Sequence, residues 1–283
     1  MKPLLLSLIA AVLLSGAPNA DELLQQGRRA LAGKAPDLTA LVFTGTHRVS
    51  SGKDVSAREM TVSLQQPNHI LKEETLEGPM GGPGPTVLEG FDGEKAWNDS
   101  RTPPGGHMIF RMMGPGGEDV RARRMQEMYA RYLLATTLTA PEGFPITFSY
   151  AGQAEAPDGT ADVIDGKGPD NFAIRIFLDS KSHLPLMLTY QAPEQRVVVT
   201  RRMAHDGPPP DMEKLKKEAE AQALADKPAI VEYQMRPSEF RQVNGRMLPH
   251  VITWSAKGAL AEEIEVKKYT VNPSLAPDIF RKK

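Results

Sequence analysis

Residues Ile146–Tyr190, ITFSYAGQAEAPDGTADVIDGKGPDNFAIRIFLDSKSHLPLMLTY, decide the fold class. Ile146, Phe148 and Tyr150 alternate with small or polar residues. The same holds for Phe172, Ile174, Ile176 and Leu178, and again for Leu184, Leu186, Leu188 and Tyr190. Period-two alternation describes a sheet with one buried face. The links carry Gly152, Asp158-Gly159 and Gly166 to Gly168, which is turn chemistry for antiparallel hairpins. Parallel strands would need crossovers of about a dozen residues, and there is no room for them. The segment predicts an antiparallel meander.

The rest of the chain extends that reading in both directions. Asp21 to Leu31 predicts a short amphipathic helix that Asp21 can cap and that Gly33 and Pro36 stop. Strands follow over Leu38–Val49, Arg58–Leu64, His69–Thr75, Val87–Phe91 and Lys95–Asn98. The best helix runs from about Glu118 to Leu134. Its stripe is Val120, Met128, Tyr129, Tyr132 and Leu133; Arg121, Arg123, Arg124 and Arg131 are expected to face water. Val197–Val199 supplies a short strand. Val231, Tyr233 and Met235 begin another run, and Asn244-Gly245 is the strongest hairpin signal, ahead of Leu248 to Trp254 and a last strand over Glu262–Val271. Two Gly/Pro stretches, Gly78–Pro85 and Pro103–Gly117, are expected to be loops, and a polar helix over Asp211–Ala225 reads as an insertion spanning about 205–228.

Compartment is read from the first twenty residues. Met1-Lys2, the apolar run Pro3–Gly16 and small residues up to Ala20 form a secretory signal peptide, too short to span a bilayer. Cleavage after Ala20 or after Ala17 both fit. This makes residues 1–20 a leader and residues 21–283 one exported domain. With no cysteine in the chain there is neither a lipid anchor nor a disulfide, so burial alone must hold the core. A formal charge of −1 offers no electrostatic capture of nucleic acid, and no later stretch is apolar enough to cross a membrane.

The order of these pieces resembles the LolA/LolB-like outer-membrane lipoprotein-sorting superfamily. The resemblance is carried by Asp92-Gly93-Glu94-Lys95-Ala96-Trp97, Phe177-Leu178-Asp179 with Leu184-Pro185, and Val243-Asn244-Gly245 with Leu248-Pro249. Val271-Asn272-Pro273 with Phe280 completes it. It implies a mainly β fold: one strongly curved antiparallel sheet forming an incomplete barrel closed by helices. It also implies an apolar cavity for the acyl chain of a lipid or lipoprotein, a periplasmic location, and an envelope protein that loads or receives the ligand. The Gly/Pro insertion at Gly78–Pro85 and the helix at Asp211–Ala225 depart from the carrier pattern.

The inward rows are then either a packed core or the wall of a cavity. They include Phe43, Met60, Val62, Phe91, Trp97, Phe148, Ile174, Ile176 and Leu186. Met128 fits as a soft cover, since methionine repacks around flexible ligands, or as part of a helix that simply plugs the sheet. His107-Met108 with Met112 and Met113 could hold Cu(I), but the spacing matches no metal site and the default is apolar loop contacts. His47, His69, His183, His205 and His250 are scattered. Asp179 precedes His183 by four positions across a turn, with no nucleophile elbow or phosphate loop anywhere. Arg121–Arg124 reads as a solvated helix face, with a membrane-surface or phosphate role as the alternative. The expectation is a non-enzymatic binding protein with no cofactor and no metal. An interaction module with a filled core, then an exported hydrolase, are the alternatives.

Overall fold

The computed structural model describes residues 19–51, 54–78, 82–102, 118–156, 159–194 and 229–282. The strands are β1 (Ala40–Ser51), β2 (Asp54–Gln65), β3 (His69–Glu77), β4 (Pro83–Phe91), β5 (Ala96–Arg101), β6 (Thr147–Ala156), β7 (Gly159–Lys167), β8 (Ala173–Asp179), β9 (Pro185–Pro193), β10 (Ile230–Val243), β11 (Arg246–Ala256) and β12 (Ala259–Val271). The helices are α1 (Ala20–Ala32) and α2 (Glu118–Thr137). All twelve strands form one antiparallel sheet in the order β5-β4-β3-β2-β1-β12-β11-β10-β9-β8-β7-β6. The chain runs outward from β1 to one edge, crosses through α2, and returns from the other edge to close on β1 through β12. β5 and β6 do not pair, so the barrel is incomplete.

Curvature follows from what α2 touches. It contacts β3, β4 and β5 near one edge and β9 and β10 well towards the other. Only a sheet wrapped around the helix brings these strands to it together. Bulges assist the bend by adding a residue to one strand of a pair. Opposite Thr44 and Gly45 the partner steps from Lys268 to Val266, which leaves Lys267 extra in β12. A Cβ on Gly45 would run into the Glu265 backbone carbonyl, so this tight crossing requires glycine.

Local chemistry explains the ends. Asn19, not Asp21, caps α1: its side-chain oxygen accepts from the Asp21 N–H at 3.0 Å. Gly33 closes the helix at φ 57°, and its N–H donates to the Arg29 carbonyl. Asn244 and Gly245, both at positive φ, join β10 to β11 as the two-residue turn expected. At the β4–β5 turn, Asp92 Oδ1 accepts from the N–H groups of Glu94 and Lys95 at 3.1 and 2.8 Å.

Three expectations are corrected here. The loop foreseen over Gly78–Pro85 is shorter, because β4 begins at Pro83. Proline lacks a ladder donor, and the β3–β4 register shifts between Thr75 and Glu77 at that level, so the pairing there is irregular. Val120 is 45% exposed, outside the buried stripe of α2. Arg131 does not face water: it lies under the helix, against β9. Residues Pro103–Gly117, Val197–Val199 and Asp211–Ala225, with the His107–Met113 cluster and His205, lie outside the described residues.

Candidate functional site

The concave face of the sheet is built by strict alternation. In β1 the buried row is Leu41, Phe43, Gly45, His47 and Val49, with half-buried residues between. Met60, Val62 and Leu64 continue it on β2, Ile70 on β3 and Phe91 on β4. Ile164, Ile174, Ile176, Leu178, Leu188, Met235 and Ile252 supply the opposite half. Onto this face α2 lays Met125, Tyr129, Tyr132, Leu133 and Leu134. Tyr132 sits edge-on to both Phe43 and Trp254, at 5.7 and 6.2 Å between ring centroids.

Six of the ten residues singled out from the sequence are buried together here: Phe43, Met60, Val62, Phe91, Ile174 and Ile176. Met128 and Phe148 are half-buried against the same cluster. Trp97 and Leu186 are not part of it. Ala96 takes the inward position on β5, so Trp97 faces the convex side. There it covers Gly90, packs near Leu71, Leu88 and Phe280, and donates from Nε1 to the Phe280 carbonyl at 2.5 Å. Leu186 is 43% exposed, because the register of β8 and β9 shifts between Phe177 and Leu178 and breaks the expected alternation at the start of β9.

Space on this face is tight. A crevice between α2 and β1–β2, lined by Leu38, Leu41, Leu64, Tyr129 and Leu133 among others, leaves no room for a water molecule. A cleft of about 250 Å³ opens elsewhere, at the Val231 and Ser255–Gly258 ends of β10 and β11.

Two polar arrangements sit within the apolar surface. Arg131 of α2 donates through Nη2 to Glu127 Oε2 at 2.7 Å. Its guanidinium carbon lies 4.0 Å from the Tyr190 ring centroid and 5.4 Å from that of Phe172. Tyr190 in turn stacks on Tyr233 at 5.6 Å, and burial pushes its hydroxyl up to about 12. The second arrangement centres on His47, only 3% exposed. Its Nδ1 is 2.5 Å from Glu74 Oε1 and its Nε2 is 2.9 Å from Glu262 Oε2. Lys72 Nζ lies 2.9 Å from Glu74 Oε1 and Arg58 Nη1 3.3 Å from Glu74 Oε2. Burial works against charge on the His47 ring. Hydrogen bonds to Glu262 and Glu74 outweigh it and raise the pKa above its ordinary value. Glu262 is shifted the other way: burial would raise its pKa, but the His47 hydrogen bond and charge bring it below the usual carboxylate value.

This cluster went unread in the sequence, where His47 was one of several scattered histidines. The signal was present. LVFTGTHRV places His47 in the same alternating row as Phe43, and ILKEETL places Lys72 and Glu74 in the row of Ile70.

The Asp179–His183 pair does turn chemistry. Asp179 Oδ1 accepts from the N–H groups of Lys181 and Ser182 and from the Ser182 hydroxyl. These bonds, led by Ser182, hold its carboxyl below the usual range. Among the described residues, no set of three or more His, Asp or Glu side chains is arranged to hold a metal ion, and no helix is long and apolar enough to cross a membrane.

No family profile matches the sequence, and no curated protein matches it. Solved structures do. One is an outer-membrane lipoprotein-sorting protein domain from Vibrio parahaemolyticus, with a TM-score of 0.52 at 10% identity, covering 93% of this chain and 97% of that one. A LolA superfamily protein from Nitrosomonas europaea gives 0.52 at 11% identity, over 94% and 99%. The fold is LolA-like. A DUF1329 family protein from Desulfovibrio piger shares it, with a TM-score of 0.53 at 8% identity over 94% and 98%. At such identities the likeness is one of architecture, and the resemblance read from the sequence holds at that level. The LolA-like sheet here is the one wrapped around α2.

Proposed function

We propose that the protein is an exported, periplasmic, non-enzymatic carrier or sensor that takes an acyl chain of a lipid or lipoprotein against its concave face. The observation that carries this reading is the apolar half of that face. Ile164, Ile174, Ile176, Leu188 and Met235 form a continuous buried surface inside an unclosed sheet, and both helices, α2 and α1, pack into the same core. The LolA-like fold, shared with a lipoprotein-sorting domain, supports the same reading. The N-terminal leader directs export and, cut after Ala17, leaves the Asn19 cap of α1 in place; an envelope protein loads or receives the ligand. Each buried methylene contributes about 0.8 kcal/mol, so a short run of carbons offsets the cost of association.

Because Ile164, Ile176, Leu188 and Met235 are all fully buried, loading requires α2 to shift. Its contacts suit that movement: Met125 and Met128 are soft, and the Arg131–Tyr190 contact can re-form over a chain. The same closure favours a second reading, an interaction module whose interior is permanently filled and whose curved sheet docks a protein.

Ile176→Glu separates the two. In a carrier, the wild type binds a fluorescent fatty acid and Ile176→Glu loses that binding at temperatures where the variant is still folded, because a carboxylate facing the ligand space holds water there. In a filled core the variant collapses by several kcal/mol and the wild type binds no probe.

A further inference from the structure

The concave face changes character at His47. Glu74 on β3 and Glu262 on β12 reach its ring from opposite sides, across the consecutive strands β3, β2, β1 and β12. Arg58 stands directly opposite His47 on β2, and Lys72 on β3 directly faces Glu89 on β4. From α2, Tyr132 lies within electrostatic range of Glu262, Glu74 and Glu89; from β9, Tyr190 lies within range of Glu262. An acceptor on each side of an imidazole requires a donor on each nitrogen, and only the doubly protonated ring has two. A neutral ring leaves a nitrogen lone pair aimed at a buried carboxylate oxygen.

We propose that this cluster is a proton-operated staple: the imidazolium draws Glu74 and Glu262 together over β1 and β2, and losing its proton releases one of them and relaxes the sheet between β12 and β3. With the ring protonated, Glu74 and Glu262 each face an N–H that carries part of a positive charge; without the proton, one of these carboxylates faces a nitrogen lone pair in its place. A surface ion pair lacks this property, since water would compensate it.

The direction of the pH effect follows from the raised pKa of His47. The staple is complete below the ordinary histidine pKa. Its contribution to stability disappears as pH rises through the higher folded-state value. Glu262, with its lowered pKa, sets the acid limit: its share is present above the ordinary carboxylate pKa and disappears as pH falls through the depressed one. The device operates with or without cargo.

The test has two arms. The first follows the His47 ring nitrogens by NMR in the wild-type protein. Both are expected to carry protons at neutral pH and to titrate above the ordinary histidine range of about 6.5. The second follows hydrogen exchange, corrected for its intrinsic pH dependence, from about pH 5 to 9. Amides of β1–β3 and β12 should lose protection at least about tenfold through the His47 titration, while those of β7 and β8 do not. His47→Gln should abolish that step. A ring that titrates at or below the ordinary value, or a step shared by wild type and variant, overturns the staple. If His47→Gln does not fold, the wild-type ring titration decides alone.

Discussion

The two halves of the concave face share one sheet and one helix but are stabilised by opposite means. Between β7 and β11 the inward rows are mostly apolar, with Ile164, Ile174, Ile176, Leu188, Met235 and Ile252 beside Tyr233 and Trp254, and one buried carboxylate, Asp162, that accepts from Gln153. Between β12 and β4 the same alternation delivers His47, Lys72, Glu74 and, less buried, Arg58 and Glu262. The aliphatic half gains from area removed from water, is indifferent to direction and tolerates changes that conserve volume. The charged half gains only while every partner is present, since each ion removed strands another. One face can therefore offer a greasy surface and a specific, directional lock side by side.

The largest effect should come from the charged half. Glu74→Ala removes the partner of His47, Lys72 and Arg58 at once, and should cost about 3–5 kcal/mol in denaturant unfolding. Replacing His47, Arg58, Lys72, Glu74 and Glu262 together by apolar residues of similar volume should cost less than that single change. A larger loss in the five-fold variant would show that the lock stabilises the fold outright. In the aliphatic half, Ile176→Ala should cost about 2–5 kcal/mol and Ile176→Val about 0.5–1.5 kcal/mol, scaling with volume removed. Equal losses would break the distinction drawn above.

The smallest effect belongs to the convex surface. Arg175 makes two hydrogen bonds to Asp165, at 2.7 and 3.0 Å, and is half exposed. Arg175→Ala should shift stability by no more than about 1 kcal/mol, and less in high salt. A loss comparable to Glu74→Ala would mean that burial does not separate the two kinds of ion pair.

Much of this was legible in the sequence because alternation is a local property. The hairpins, the Asn244-Gly245 turn and the covering helix all follow from residues a few positions apart. What escaped depended on the third dimension. Trp97 reads as part of the inward rows in the sequence, but parity with Ala96 sends it outward to Phe280. Arg131 sat among solvent-facing arginines in the helical pattern, and only the wrap of β9 towards α2 places an aromatic ring beneath it. The His47 cluster joins residues 47, 74 and 262, so no spacing within the chain announces it. Reading inward rows for polar residues, as well as for apolar ones, would have marked His47, Lys72 and Glu74.

The edge strand β6 carries a further consequence. Among the described residues it ends the sheet on its side, with no strand beside its outer amides and carbonyls. Such an edge is a template on which copies of a chain grow into fibres. Between Tyr150 and Gly152 the register slips, with Gly152 at φ 127°, so the strand bends midway. A second molecule approaching side by side would find two short, misaligned stretches in place of one continuous ladder. The same kink thereby works against edge-to-edge growth of an open sheet.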